Sequence, residues 1–242
     1  MKSVFLIIFI LSSKSYTLET IHLKFIPPEN YNRVLFSQNS FANYIQSLPL
    51  KDDNKILKHD GQLAKQKRWN SLAVISMPLM FKDNLEQCSD FCMRFWANFH
   101  KKQNRLNQLI LFNYMGENKP FISSGLSYNK FLRKSFAFSN SYSLKRALKK
   151  VDSNKLIPGD LIIQSRGHKL GHVSMIMDLA INSKKQRLYL IGFSAIPAQE
   201  FHIESAKGFS QFNEWFTIEA FQKYLASKIK RGKPSFRRFG LK

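Results

Sequence analysis

The chain has 242 residues, 44% of them hydrophobic and 14% aromatic, which is enough for one sizeable core and argues against intrinsic disorder. Thirty-eight Lys and Arg against 16 Asp and Glu give a formal charge of +22, a surface that favours polyanions such as acidic envelope polymers, anionic head groups or nucleic acid. The basic residues are scattered among acids and asparagines and no nucleic-acid motif accompanies them, so nucleic-acid binding is disfavoured as the function.

Lys2 precedes an apolar run over residues 4–11, followed by Ser12, Ser13, Lys14 and Ser15, the pattern of a secretion signal cut after Ser15. The run is well short of the roughly 20 residues that cross a bilayer, so no permanent transmembrane anchor is expected. The expectation is an exported protein, periplasmic or extracellular, with one α+β domain over residues 16–242. Thr17 to Asn32 is polar and broken by Pro27 and Pro28, and reads as a strand or extended arm. Ser40 caps a helix carrying Phe41, Tyr44, Ile45 and Leu48 and closed by Pro49. Residues 55–59 read as a strand entering an Asp60-Gly61 turn, and residues 71–77 as a second strand.

A helix is predicted from Asp83 or Asn84 to about His100, since Asp83 with Glu86, or Asn84 with Gln87, has the spacing of a cap and its partner. Cys88 then falls in or just past the first turn, where free amides and the helix dipole lower a thiol pKa, and Cys92 lies one turn deeper. Cys88 is equally readable as a small apolar core residue, and for Cys92 that is the favoured reading. Four apart on a helix, they suit a disulfide poorly, and no further Cys or His stands at ligand spacing, so neither a disulfide, a metal nor a cofactor is expected. Residues 108–114 read as a strand, and residues 128–138 and 143–150 as helices, the second capped by Ser141 or Ser143.

Residues 161–163 and 173–177 are apolar runs separated by Ser-Arg-Gly-His-Lys-Leu-Gly, so residues 158–178 form an antiparallel hairpin whose second strand opens with His172. A histidine at a strand mouth is placed for general-base chemistry, and is also an ordinary position for a hydrogen-bonded structural residue. A further strand over residues 187–194, with its turn near Ser183, sets Ser194 opposite His172 and makes Ser194, Gln199, Glu200 and His202 the candidates for orienting the imidazole. Thr217 caps a helix over residues 218–229, and a basic tail follows from about 228.

Two resemblances follow from these residues. The blocks Ser40-Phe41, Leu48-Pro49-Leu50, Asp60-Gly61, Leu85 with Gln87-Cys88, Met93-Arg94, Tyr128 to Leu144, Gly159-Asp160, Gly171-His172 with Asp178, and Pro197-Ala198-Gln199-Glu200 with His202 resemble a family of exported bacterial proteins known as domain of unknown function 4846. More distantly, Cys88-Ser89, Gly159-Asp160 and Gly171-His172 resemble the NlpC/P60 and amidase branch of papain-like cysteine hydrolases. That likeness implies an antiparallel sheet with helices packed on it, Cys88 as nucleophile, His172 as base, and the amide of Cys88 with Gln87 at the oxyanion. It implies an amidase or peptidase acting on a cell-wall peptide or another envelope amide. The chain departs from the branch in having Gln87 before the cysteine and Phe193-Ser194 where the orienting residue stands, which leaves Ser194 or a bare dyad. The alternative is a catalytically inactive module of the same fold that binds a peptide or glycan.

Overall fold

The structure is a computed structural model and describes residues 18–64, 69–167 and 171–240. The signal segment over residues 1–15 lies outside the described residues. In chain order the elements are α1 (Ile21–Lys24), β1 (Tyr31–Arg33), α2 (Phe41–Gln46), β2 (Ser71–Val74), α3 (Cys88–Lys102), β3 (Ile110–Phe112), β4 (Asn118–Pro120), α4 (Tyr128–Ala137), α5 (Ser141–Ala147), β5 (Lys149–Lys150), β6 (Leu161–Gln164), β7 (His172–Asn182), β8 (Arg187–Phe193), β9 (His202–Glu204), α6 (Ile218–Tyr224) and β10 (Pro234–Arg238). The fold is α+β. Eight strands form a sheet in the order β2-β9-β8-β7-β6-β10-β5, with β1 pairing the far end of β7, and β3 and β4 make a separate hairpin. All these pairings are antiparallel.

The hairpin of β6 and β7 sits at the middle of the sheet and is buried on both faces, which is why its strands read as continuous apolar runs rather than alternating ones. Leu161, Ile163, Val173, Met175 and Met177 face the core beneath α3, with Phe91, Cys92 and Phe95. Ile162, Ile176, Ile191 and Phe193 face the core beneath α6, with Phe221 and Tyr224. α3 and α6 therefore clamp the sheet from opposite sides.

Local signals account for the helix starts. Ser40 Oγ accepts from Asn43 N–H at 3.1 Å and Thr217 Oγ1 from Ala220 N–H at 3.1 Å, each at its helix's N-cap. α5 starts at Ser141 because Asn140, not either serine, is the cap: its Oδ1 accepts from Tyr142 N–H at 2.9 Å. The stretch expected as an extended arm contains α1 before β1. Residues 55–59 make only isolated bridges, Leu57 to Leu63 and Lys58 to Gln199, although the Asp60-Gly61 turn is present with Gly61 at φ +78°.

The largest correction concerns the basic segment after residue 228. It is not a tail: Pro234–Arg238 runs through the sheet between β6 and β5, Ser235 opposite Ile163 and Arg238 opposite Lys149. Arg238 Nε reaches the buried carboxylate of Asp160 at 2.6 Å, and Ile157 N–H donates to the same carboxylate at 2.8 Å. Asp178 is engaged likewise by Arg33 at 2.7 Å and Gln46 at 2.6 Å, which ties β1 and α2 to β7.

Candidate active site

α3 begins at Cys88, three to four residues later than the capping pattern indicates. Gln87 is the N-cap, and its N–H donates to Asp90 Oδ2 at 2.9 Å. The residues expected to cap act elsewhere. Asp83 pairs with Arg133, Glu86 forms a buried ion pair with Arg94 at 2.6 Å, and Asn84 Oδ1 accepts from Ala198 N–H at 2.6 Å. The Gln87 side-chain amide donates to the Asn84 carbonyl at 3.0 Å. That commits the group expected at the oxyanion to the loop before the helix.

Cys88 thus stands at the first helical position, but only 7% exposed. Burial pushes its thiol up to about 11, the carboxylate of Asp90 adding to the effect, while amides of Val173, Ser89 and Cys88 itself act the other way. The expectation that the helix start lowers this pKa is overturned: desolvation outweighs the amides. Cys92 is a core residue, fully buried, its thiol donating to the Cys88 carbonyl at 3.2 Å and held well above the usual range by burial.

His172 opens β7 opposite Gln164 of β6 and is 5% exposed. Gly171 before it is obligatory. A Cβ there would lie 2.1 Å from Ser141 Oγ and 2.3 Å from the Gln164 carbonyl oxygen, so only glycine lets the strand mouth close against α5 and β6. The imidazole packs edge-to-face on Phe193, ring centroids 5.0 Å apart, on the α6 side of the sheet. Cys88 comes from the α3 side. The two line one cavity of about 190 Å³ at the end of the sheet, with Trp69, Ile196 and Arg231. The structure therefore brings together the two residues that the sequence singles out most strongly, from opposite layers.

Ser194 is not opposite His172. The β7–β8 register shifts between Ile176 and Asp178, its last pair is Met175 with Gly192, and β8 ends at Phe193. Ser194 is fully buried and its Oγ donates to the Gln199 carbonyl at 2.6 Å, closing the loop that follows. Ser194→Ala is accordingly expected to cost about 1 kcal/mol of stability, read from a urea midpoint, and to leave the alkylation rate of Cys88 unchanged. Glu200 is held by Lys51 at 3.0 Å and Leu57 N–H at 2.9 Å. His202 Nε2 lies 3.0 Å from Glu204 Oε2, and Phe193 stands between this buried pair and His172, 4.6 Å from the His202 ring.

The sequence reading missed Glu204, Gln164 and Trp69. Glu204 was findable, because His202 and Glu204 are two apart on a strand and share a face. Gln164 follows from counting back from His172 across the hairpin. Among the described residues no group of three His, Cys, Asp or Glu side chains is arranged to hold a metal ion. No helix among them is long and apolar enough to cross a membrane.

A family model described as a domain of unknown function (4846) matches residues 21–125 and 116–238, and the chain belongs to that family. No curated protein and no solved structure matches it.

Proposed function

We propose that the chain is an exported cysteine hydrolase of papain-like arrangement, an amidase or peptidase that acts on a cell-wall peptide or another envelope amide. The observation that carries this reading is the shared cavity: a cysteine at the first position of a helix, and a histidine at the mouth of the strand beneath it, both facing one space of about 190 Å³. The NlpC/P60 likeness of Cys88-Ser89, Gly159-Asp160 and Gly171-His172 agrees with it.

With the thiol near 11, Cys88 rests as the protonated thiol. His172 takes the proton as Sγ attacks the amide carbonyl, and returns it to the leaving amine. The amides of Cys88 and Ser89, at a helix start where backbone donors have no intrahelical acceptor, stabilise the oxyanion. Without Lys2 and Lys14 of the signal the chain stays strongly basic, which concentrates it on acidic wall polymers.

The test compares hydrolysis of a muramyl-peptide amide by the wild type, Cys88→Ala and His172→Ala, beside iodoacetamide labelling from pH 6 to pH 10. The hydrolase reading expects both substitutions to cut turnover by about 10³-fold or more. It expects slow labelling near neutrality that climbs with pH and falls further in His172→Ala. Equal turnover in wild type and Cys88→Ala sinks it. The second reading, a silent module that binds a peptide or glycan in the same groove, draws on the raised thiol and on Phe193 standing where a polar orienter is expected. It expects labelling indifferent to His172→Ala and no turnover at all.

A further inference from the structure

A second cavity, of about 450 Å³, lies on the α6 side of the sheet and is lined by Gln164, Arg166, Gln222, Lys230, Gly232 and Lys233 among others. Its size is within the roughly 300–1,000 Å³ of small-ligand sites. Two features tie it to the Cys88–His172 cavity. Gln164 and His172 are direct cross-strand partners, one lining each space. The chain from Ile229 to Gly232 serves both, with Ile229 and Arg231 in the first and Lys230 and Gly232 in the second.

The chemistry of the lining is specific. Three cations, Arg166, Lys230 and Lys233, border the second cavity, and no acidic residue does among the described residues. Arg166 is laid across Gly232, where an added Cβ would come within 2.9 Å of its Cγ and 3.2 Å of its Nε, so this exposed side chain runs close along the turn at Gly232. Lys230 takes a left-handed backbone, φ +58° and ψ 36°, at the turn that closes the wall. Gln164 is 1% exposed, its Nε2 donates to the Gly232 carbonyl at 2.7 Å, and its Oε1 has no hydrogen-bond partner. A buried acceptor without a donor costs stability unless a ligand supplies one.

The lining asks for an anion that carries an N–H donor close by. A peptide's free C-terminus has both on one residue: the carboxylate for Arg166 and the lysines, the amide N–H for Gln164 Oε1. Phosphate matches the cations and offers Gln164 nothing. We propose that this cavity is a subsite for the C-terminal carboxylate of a peptide, which rests on the hydrolase reading only for the further consequence that the amide cut at Cys88 lies just upstream of that end.

The test measures binding of N-acetylalanine, N-acetylalaninamide and inorganic phosphate by titration calorimetry, using the full chain carrying Cys88→Ala so that turnover plays no part. The acid is expected to bind about tenfold tighter than the amide. That preference disappears in Arg166→Ala combined with Lys233→Ala, two exposed positions whose change leaves the core intact. Gln164→Leu is expected to weaken the acid and leave phosphate unchanged. Acid and amide binding alike, no measurable binding of the acid, an undiminished preference in the double variant, or phosphate matching the acid with Gln164→Leu affecting neither, each overturns the subsite. Binding without any hydrolysis by the wild-type chain sinks the hydrolase reading and leaves the subsite standing; turnover without binding in this assay does the reverse.

Discussion

Arg238→Ala is expected to destabilise the protein by about 3 kcal/mol, read as a lower urea midpoint at pH 7.5 with an unchanged slope. Arg238 is itself half-buried, but its partner Asp160 is 1% exposed, and the guanidinium supplies two of the donors to that carboxylate. Removing it strands the negative charge inside the α6-side core, leaving Ile157 N–H as the remaining hydrogen bond. Burial already pushes the Asp160 carboxyl above its ordinary value, against the pull of Arg238. Without the arginine it rises further, so the acid form relieves part of the damage and the deficit of the variant shrinks toward pH 4. Adding Asp160→Asn to Arg238→Ala is expected to recover much of the loss. A double variant no better than Arg238→Ala would show that the strand, rather than the stranded charge, is what Arg238 supports.

The second large effect is at Asp90, whose carboxyl is raised to about 8 by burial, with Glu86 adding and the Gln87 N–H opposing. Its unfolded value is near 3.8. A group raised in the folded state stabilises fully below the unfolded value and loses that contribution as pH climbs through the folded one. Wild-type stability is therefore expected to fall between about pH 4 and pH 8, by several kcal/mol on this account and on the order of 5 at the upper bound. Asp90→Asn keeps an oxygen to accept from Gln87 N–H and carries no charge. It is expected to match the wild type near pH 4 and to exceed it increasingly up to pH 8, after which the gap stays constant. Thermal melts of the two proteins across that range check this, and a gap independent of pH would refute it. Functionally, the same charge raises the Cys88 thiol, so Asp90→Asn is also expected to speed alkylation of Cys88 at pH 8.5.

Much of this architecture was legible in the residues, and the exceptions have physical reasons. The hairpin of β6 and β7 stood out because two buried apolar strands flank a glycine-bearing turn. His172 came with it, since a strand's first residue is fixed once the run is. The helix holding Cys88 was legible, but not its start. Asp83 and Asn84 are the stronger capping types, while the observed cap is a glutamine made effective by Asp90 and a loop braced against Ala198. Whether the thiol is activated or suppressed was beyond the sequence, because it depends on how far the helix start is desolvated. The misplacement of Ser194 follows from the turn, which is centred on residue 184 rather than 183, as the pairing of Ile181 with Arg187 shows, and the irregularity between Ile176 and Asp178 takes back only one of the two positions so lost, neither of which composition announces. β10 was hidden by its own chemistry. Pro-Ser-Phe-Arg-Arg has no alternation, since its arginines lie along the sheet as stems with their heads engaged by Lys145, Lys155 and Asp160.

The position of β10 also bears on how the molecule is made. On the ribosome, β6 emerges with β7 and β8 close behind it, but one of its edges stays bare until a strand far downstream arrives to cover it. Until it arrives, β6 presents an unpaired apolar edge, so the non-local closure by β10 is the step expected to be slow.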